Sequence, residues 1–259
     1  MRRYFVLELT FVIFASFACY ACMGQQNGGS VLGEIIPIVF NIEESMFPPS
    51  WHSEEINARA EPLAEREVSR SEQVIRVALC KYPDRVLRNN LSKVYVLHAI
   101  EFYGMPFGGT NSSDMVYISN QGEEKGYSDI YLEQTFHHEF SSILLRNYPD
   151  YLDQRAWERL NPKGFKYGEG GVEALRKGDD SLIFDESLNE RGFLNQYALS
   201  DFENDFNTIV EYLFKVDEGF WVIMERNSSL KGKVMLAIDF YHQIDPKFTL
   251  DYFKEVSSR

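Results

Sequence analysis

The chain has 259 residues, a net charge of −13 and 15% aromatic residues. This length accommodates one large domain or two small ones, and the aromatic content predicts a well-filled core rather than disorder. An acidic chain repels phosphate backbones, so we expect no binding to nucleic acid.

The N-terminus has the pattern of an export signal. Two arginines after the first methionine precede a short apolar stretch that ends at Cys22. This stretch is too short for a permanent membrane helix, which needs about 20 apolar residues. Cys19 and Cys22 each follow an alanine, which resembles the lipobox of bacterial lipoproteins, and either cysteine is a candidate for acylation. The alternative is an ordinary cleaved signal peptide.

We therefore expect a lipoprotein-type signal peptide over residues 1–22, a flexible tether over 23–30 and one folded domain over 31–259. Such a chain is exported and held to the outer membrane or cell surface through its N-terminal lipid. Cleavage leaves Cys80 as the last cysteine, which excludes a cysteine-based zinc site. The apolar neighbours of Cys80 predict a buried thiol and no disulfide.

The first half of the domain predicts a helix followed by strands. Apolar residues recur at helical spacing over residues 63–81. Alternating residues predict a strand from Val94 to Tyr103, and Met115 to Ser119 predicts a second strand, which we place in a hairpin with the first.

The second half predicts mostly helices. Ser128 or Asp129 caps a helix that runs to about residue 147, and a long irregular region covers about residues 161–195. A capping box at Ser200 opens another helix, and a last one covers about residues 229–241. The order of helix, strands and helices predicts an α+β fold.

The helix over residues 128–147 contains an incomplete zinc-peptidase motif. Zinc peptidases commonly use His-Glu-x-x-His, because two imidazoles four residues apart share one helix face and the glutamate activates the metal-bound water. Here His138 and Glu139 fill the first two places, but Ser142 stands at the fifth. Serine is a poor zinc ligand, and a polar helix face with ordinary hydrogen bonds is the alternative interpretation.

The order of parts over about residues 90–215 resembles a family of gluzincin-like zinc-binding metallopeptidases, found as surface lipoproteins in gut-type Gram-negative bacteria. The resemblance rests on the first strand, the His138-Glu139 helix and two further segments, Gly108-Gly109-Thr110 and Tyr197-Ala198-Leu199-Ser200 leading into Asp205-Phe206. It implies a zincin-like domain with a small twisted sheet, an active-site helix and a zinc cofactor.

The resemblance also implies roles for single residues. His138 is then a metal ligand, Glu139 the general base, and Tyr197 the donor that stabilises an oxyanion. The acids that the family places on the later helix fall on Asn204 and Thr208, which are both neutral here.

A substitute ligand set is one way to keep the metal. The nearest candidates are His137, His138, Asp201, Glu203 and Asp205, with Asp205 as the preferred carboxylate, since two imidazoles and a carboxylate can form an open zinc site. Adjacent histidines diverge on a regular helix, however, so this site needs a distorted turn. The competing expectation is that no zinc binds.

Three functions follow from these alternatives. The first is a peptidase-like hydrolase that cleaves a peptide or protein substrate. The second is a non-catalytic descendant that binds a peptide or glycan partner in the old cleft, and the third is a structural accessory of an outer-membrane uptake complex. In a zincin an extended peptide pairs with an edge strand beside the metal helix, and we expect residues 94–103 or 115–119 to supply that strand.

Overall fold

The structure is a computed structural model, and it describes residues 35–215 and 219–258. The predicted signal peptide, tether and both N-terminal cysteines lie outside the described residues. Among the helices of the described chain, none is both long and apolar enough to span a membrane.

The described residues contain seven strands in two small sheets. The strands are β1 Ile38–Val39, β2 Arg59–Glu61, β3 Lys93–Leu97, β4 Ala99–Phe102, β5 Met105–Phe107, β6 Gly109–Asn111 and β7 Met115–Ser119. The larger sheet has the order β1-β3-β7-β6, in which β1, β3 and β7 are parallel and β6 is antiparallel at one edge. The smaller sheet is antiparallel, with the order β2-β4-β5.

The prediction of one strand from Val94 to Tyr103 is wrong, because the chain changes sheets at His98. The Leu97 carbonyl accepts a hydrogen bond from Asn120, whereas the His98 amide donates to Glu61, so β3 and β4 belong to different sheets. The predicted hairpin is also wrong, since β3 and β7 run parallel. The second strand itself is confirmed as β7.

Ten α-helices lie in the described residues. They are α1 Glu65–Cys80, α2 Asp84–Asn90, α3 Asp129–Asn147, α4 Gln154–Glu158, α5 Gly171–Lys177, α6 Glu186–Asn189, α7 Phe202–Phe214, α8 Gly219–Arg226, α9 Ser228–Ile244 and α10 Leu250–Val256. The four predicted helices are confirmed as α1, α3, α7 and α9. The cap of α7 is one residue later than predicted: Asp201 accepts a hydrogen bond from the Asn204 amide at 2.6 Å.

Helix α3 is the central element of the fold. The helix packs against α1, α7, β6 and β7. Its apolar stripe is fully buried and consists of Leu132, Phe136, Phe140, Ile143 and Leu144. Because neighbours surround it, its polar side chains are buried as well, including His137, His138, Glu139, Ser141 and Ser142. A buried polar group needs a hydrogen-bond partner, so the contacts of α3 are strongly constrained.

The described residues after β7 contain helices but no strand, as the sequence predicts for the second half of the domain. The molecule is therefore a mixed α and β structure with small sheets, which is compatible with the predicted α+β class.

Cys80 differs from its prediction. It is half-buried at the end of α1 and forms a disulfide, so the expected buried free thiol is wrong. The apolar neighbours in the sequence were a poor guide, because the end of α1 leaves part of this residue exposed.

Candidate functional site

Helices α3 and α7 face each other through polar side chains. His138, Ser141 and Ser142 of α3 meet Asn204, Asn207 and Glu211 of α7, and all six are buried. On α7 these three residues lie at intervals of three and four, which places them on one face of the helix. The opposite, apolar face contains Phe206, Ile209, Val210 and Leu213.

Both ring nitrogens of His138 face hydrogen-bond acceptors. Nδ1 lies 2.5 Å from Oε1 of Glu211, and Nε2 lies 3.3 Å from Oδ1 of Asn204. The amide of Asn204 is oriented by its other end, since Nδ2 donates to Ser200 Oγ at 2.8 Å and to Asp201 Oδ2 at 2.9 Å. Two acceptors require two N–H groups, so the ring is an imidazolium.

The electrostatics agree with this protonation state. Burial disfavours the charged ring, but the hydrogen bond and the negative charge of Glu211 outweigh burial and raise the pKa of His138 from 6.5 to about 9. Burial also raises the pKa of Glu211, and the charged ring opposes that shift. We infer that His138 and Glu211 form a buried ion pair at neutral pH.

Glu211 was not among the residues predicted for the site. It lies seven residues beyond Asn204 on the same helix face, one turn past the last position where the resemblance expects an acid. The available signal was a single carboxylate between Val210 and Tyr212 in an otherwise apolar run, which indicates a buried charge with a partner.

Ser142, which stands where the motif has its second histidine, is also hydrogen-bonded. Its hydroxyl accepts a hydrogen bond from Asn207 Nδ2 at 2.7 Å, while Ser141 donates to the other end of the same amide and is close to the carbonyl of His138. These bonds join α3 to α7 directly, where a zincin would hold them together through a metal.

Glu139 points away from α7, toward the edge strand β6. Its Oε2 accepts a hydrogen bond from Nδ2 of Asn111 at 2.5 Å, and Arg146 donates to the oxygen of the same Asn111 side chain. Its Oε1 lies beside Gly109, where an added Cβ would come within 2.8 Å of it. Burial raises the pKa of Glu139, although the charge of His138 and the bond from Asn111 oppose the shift.

These groups lie at the bottom of a cleft of about 400 Å³. Its walls come from the loop before β6, from the start of α3 and from residues 175–182, and His138, Glu139 and Tyr197 line it together. The rings of Tyr197 and His138 are 5.9 Å apart. The structure thus brings both predicted catalytic residues, Glu139 and Tyr197, to one cavity; their catalytic roles stay a prediction.

His137 is not part of this cleft. Its ring stacks on Phe214 with centroids 4.4 Å apart, and its Nδ1 lies 2.9 Å from the hydroxyl of Tyr82. Burial lowers the pKa of His137 to about 4, so the ring is neutral and its Nδ1 accepts a hydrogen bond from the Tyr82 hydroxyl. The two adjacent imidazoles diverge as a regular helix requires, since successive residues are about 100° apart.

Asp205 is also placed away from the cleft. One of its oxygens accepts hydrogen bonds from Trp157 Nε1 at 2.8 Å, from Tyr167 at 2.6 Å and from Lys233 Nζ at 2.7 Å. Asp205 and Lys233 are both buried, so this cluster ties α7 to α4 and α9. The substitute ligand set of His137, His138 and Asp205 is therefore not brought together.

The residues at the zincin position do not fit a zinc ion. A zinc-binding imidazole needs a deprotonated nitrogen, and both nitrogens of His138 face hydrogen-bond acceptors of the protein. Ser142 and Asn204 supply no anionic ligand. Among the described residues, no three His, Cys, Asp or Glu side chains are grouped closely enough to hold a metal ion.

Comparisons with models of protein families, with curated proteins and with solved structures return no match.

The buried pair of Asp205 and Lys233 yields a test of stability. We expect Asp205→Asn to lower the free energy of unfolding by about 3–5 kcal/mol, because it leaves a buried ammonium without its counter-charge. Urea unfolding measures this loss. The matched control is Asp239→Asn on the exposed side of α9, for which a change within about 0.5 kcal/mol is expected. Equal effects of the two substitutions would contradict the role of Asp205.

The ion pair of His138 and Glu211 predicts a dependence of stability on pH. Because the pKa of His138 is raised to about 9 in the folded state, the folded chain holds an extra proton between pH 6.5 and 9. Stability is therefore complete below about pH 6.5 and falls by about 2–4 kcal/mol as the pH rises through 9.

Glu211→Gln is the comparison for this pH series. It removes the charge that holds the proton, so we expect its unfolding free energy to vary much less across that window than that of the unaltered chain. Chemical denaturation at a series of pH values measures both proteins. Parallel curves would show that the proton of His138 does not depend on Glu211.

Proposed function

We propose that this chain is an exported, metallopeptidase-related lipoprotein that has lost zinc-dependent hydrolysis and binds an extended peptide in its cleft. The proposal rests on the hydrogen-bond contacts of His138 with Glu211 and Asn204. Nδ1 of His138 is bonded to Glu211, and Nε2, the nitrogen left to face a metal, meets the neutral Asn204 in place of an acidic ligand, yet the cleft beside it is retained. The zincin-like relation of the fold, the lipid anchor and the surface location belong to this proposal. Acylation at Cys19 is the choice that leaves a second cysteine, Cys22, for the disulfide of Cys80.

The edge strand β6 supports a peptide as the occupant. The residues on either side of β6 use their main-chain groups to bond β7. The Ser119 amide donates to the Gly108 carbonyl, and the Ser112 amide donates to the Met115 carbonyl. Hydrogen bonding alternates along an antiparallel pair, so the main-chain groups of Gly109 and Asn111 face outward. No strand of the described chain covers that edge.

This assignment differs from the expected peptide-binding strand. Residues 115–119 form β7, which lies between β3 and β6, and β3 lies between β1 and β7. Each of these strands already has a neighbouring strand on both sides, so neither has a free edge for a peptide. The sequence gives β6 little signal, since it consists of Gly109, Thr110 and Asn111, with no apolar residue.

The mouth of the cleft is apolar. Ile130 and Leu182 both line it, and their exposed fractions are 53% and 43%. Ile183, beside Leu182, is 78% exposed. Exposed aliphatic side chains around a cavity are typical of a surface that binds a protein or peptide partner, and they favour a peptide over a glycan.

A peptidase that retains zinc is the second candidate, and Glu211 is the observation in its favour. This carboxylate lies against His138, so a rearranged pair of His138 and Glu211 would supply two ligands to zinc. Catalytic zinc sites use three protein ligands, however, and the neighbouring positions hold Asn204 and Ser142.

Metal content separates the two candidates. After the full chain is equilibrated with zinc and passed over a gel-filtration column, we expect far less than one zinc per chain, with no change in His138→Ala. About one zinc per chain that disappears in His138→Ala, together with peptide cleavage, would refute the proposal.

Strand pairing has a test of its own that leaves the protein unaltered. We expect short extended peptides to bind, and methylation of alternate backbone nitrogens to weaken binding at least about tenfold when those nitrogens face β6. The control is the same peptide methylated at the intervening nitrogens, which face away. Isothermal titration calorimetry measures both. Equal affinities of the two methylated peptides would exclude pairing with β6.

A further inference from the structure

We propose that the cleft selects peptides by a basic side chain, lysine or arginine, whose charged end is received by Glu139 and Asp180 between aromatic rings. This inference rests on the proposed function, and it names the chemistry of the ligand that the cleft takes.

The charge of the cleft is the first argument. Among the described residues that line it are three carboxylates, Glu139, Asp180 and Glu211, and no lysine or arginine. Glu211 is neutralised by its ion pair with His138. Glu139 and Asp180 form no ion pair within the described part of the chain, so they leave the cavity negative.

Glu139 supplies the second and independent argument. This side chain is only 9% exposed, and its Oε2 is occupied by Asn111. Within the described chain, no donor lies within hydrogen-bonding distance of Oε1, and this oxygen reaches the cleft rather than being sealed in the core. A carboxylate oxygen that opens into a cleft from a nearly buried residue and lacks a protein donor is a site for a charged N–H group of a ligand.

Aromatic rings provide the walls. Phe107, Tyr127, Tyr131 and Tyr197 line the cleft, and the rings of Tyr127 and Tyr131 pack edge to face at 5.1 Å. Aromatic faces attract ammonium and guanidinium groups by about 0.5–2 kcal/mol, and they also cover the aliphatic stem of a long basic side chain. Walls of this kind favour lysine or arginine over a small cation.

Glu139 lies next to the strand that would pair with the peptide, so its oxygen is within reach of a peptide side chain. Oε1 lies beside Gly109, at the start of the edge strand, because Gly109 has no Cβ to occupy that space. A peptide paired with the outward groups of β6 therefore passes next to this oxygen. Side chains alternate across an extended peptide, so one of them enters the cleft while its neighbours point away.

The test uses the full chain and a set of short peptides that differ at one central residue, which is Lys, Arg, Met or Glu. All peptides are N-acetylated and C-amidated, so that a terminal amine cannot supply the positive charge. We expect the Lys and Arg peptides to bind at least about tenfold more tightly than the Met peptide and the Glu peptide to bind least. Added salt should reduce this preference.

Variants locate the preference. Glu139→Gln and Asp180→Asn each remove one negative charge with little change in size, and we expect each to reduce the ratio of Met to Lys dissociation constants several-fold. The control Asp239→Asn lies outside the cleft and should keep the full ratio. Circular dichroism checks the fold, and Asp180→Asn, at a half-buried position, carries the test if Glu139→Gln does not fold.

The outcomes separate this inference from the proposed function. If all four peptides bind equally, selection by a basic side chain is wrong although peptide binding stands. If the preference survives both charge-removing variants, Glu139 and Asp180 do not receive the charged end and the inference is overturned. Binding to none of the peptides overturns both proposals. A preference for Lys and Arg that falls in the cleft variants alone supports the inference.

Discussion

The ion pair between His138 and Glu211 is the constraint on which the rest of the site depends. It joins the two helices that form the floor of the cleft, α3 and α7, where the sequence predicted a zinc site. A buried charge is tolerated only with a partner, so this pair fixes the facing sides of both helices. Asn204, Asn207 and Ser142 satisfy the remaining polar groups of the same interface.

This arrangement exchanges one cation for another. Where a metallopeptidase relies on a divalent metal to hold an imidazole and a carboxylate together, the proton on His138 does so here. On this reasoning the chain keeps its fold in the presence of chelators, and its integrity depends on the supply of protons instead of the supply of metal. Under the proposed function, the loss of hydrolysis then follows from this exchange, while the cleft beside the pair persists.

Periodic patterns predicted the helices well, and α1, α3, α7 and α9 lie close to their expected positions. The break at His98 was invisible, because alternation continues through a residue at which only the hydrogen-bond partner changes. Glu211 was missed because the resemblance directed attention to Asn204 and Thr208, and no sequence pattern states which residue across an interface receives a buried carboxylate. The placement of His138, Glu139 and Tyr197 at one cavity depends on how the helices pack against each other, which sequence patterns do not specify.

Strand β6 has a consequence for how the molecule associates with others. An open sheet edge invites pairing with any extended chain, including a second copy of the protein. This edge has three residues, begins with a glycine and contains no apolar side chain, so backbone pairing by itself gains little. A partner must therefore obtain most of its binding free energy from the neighbouring cavity, which makes the shortness of the strand a safeguard against aggregation as well as a filter on partners.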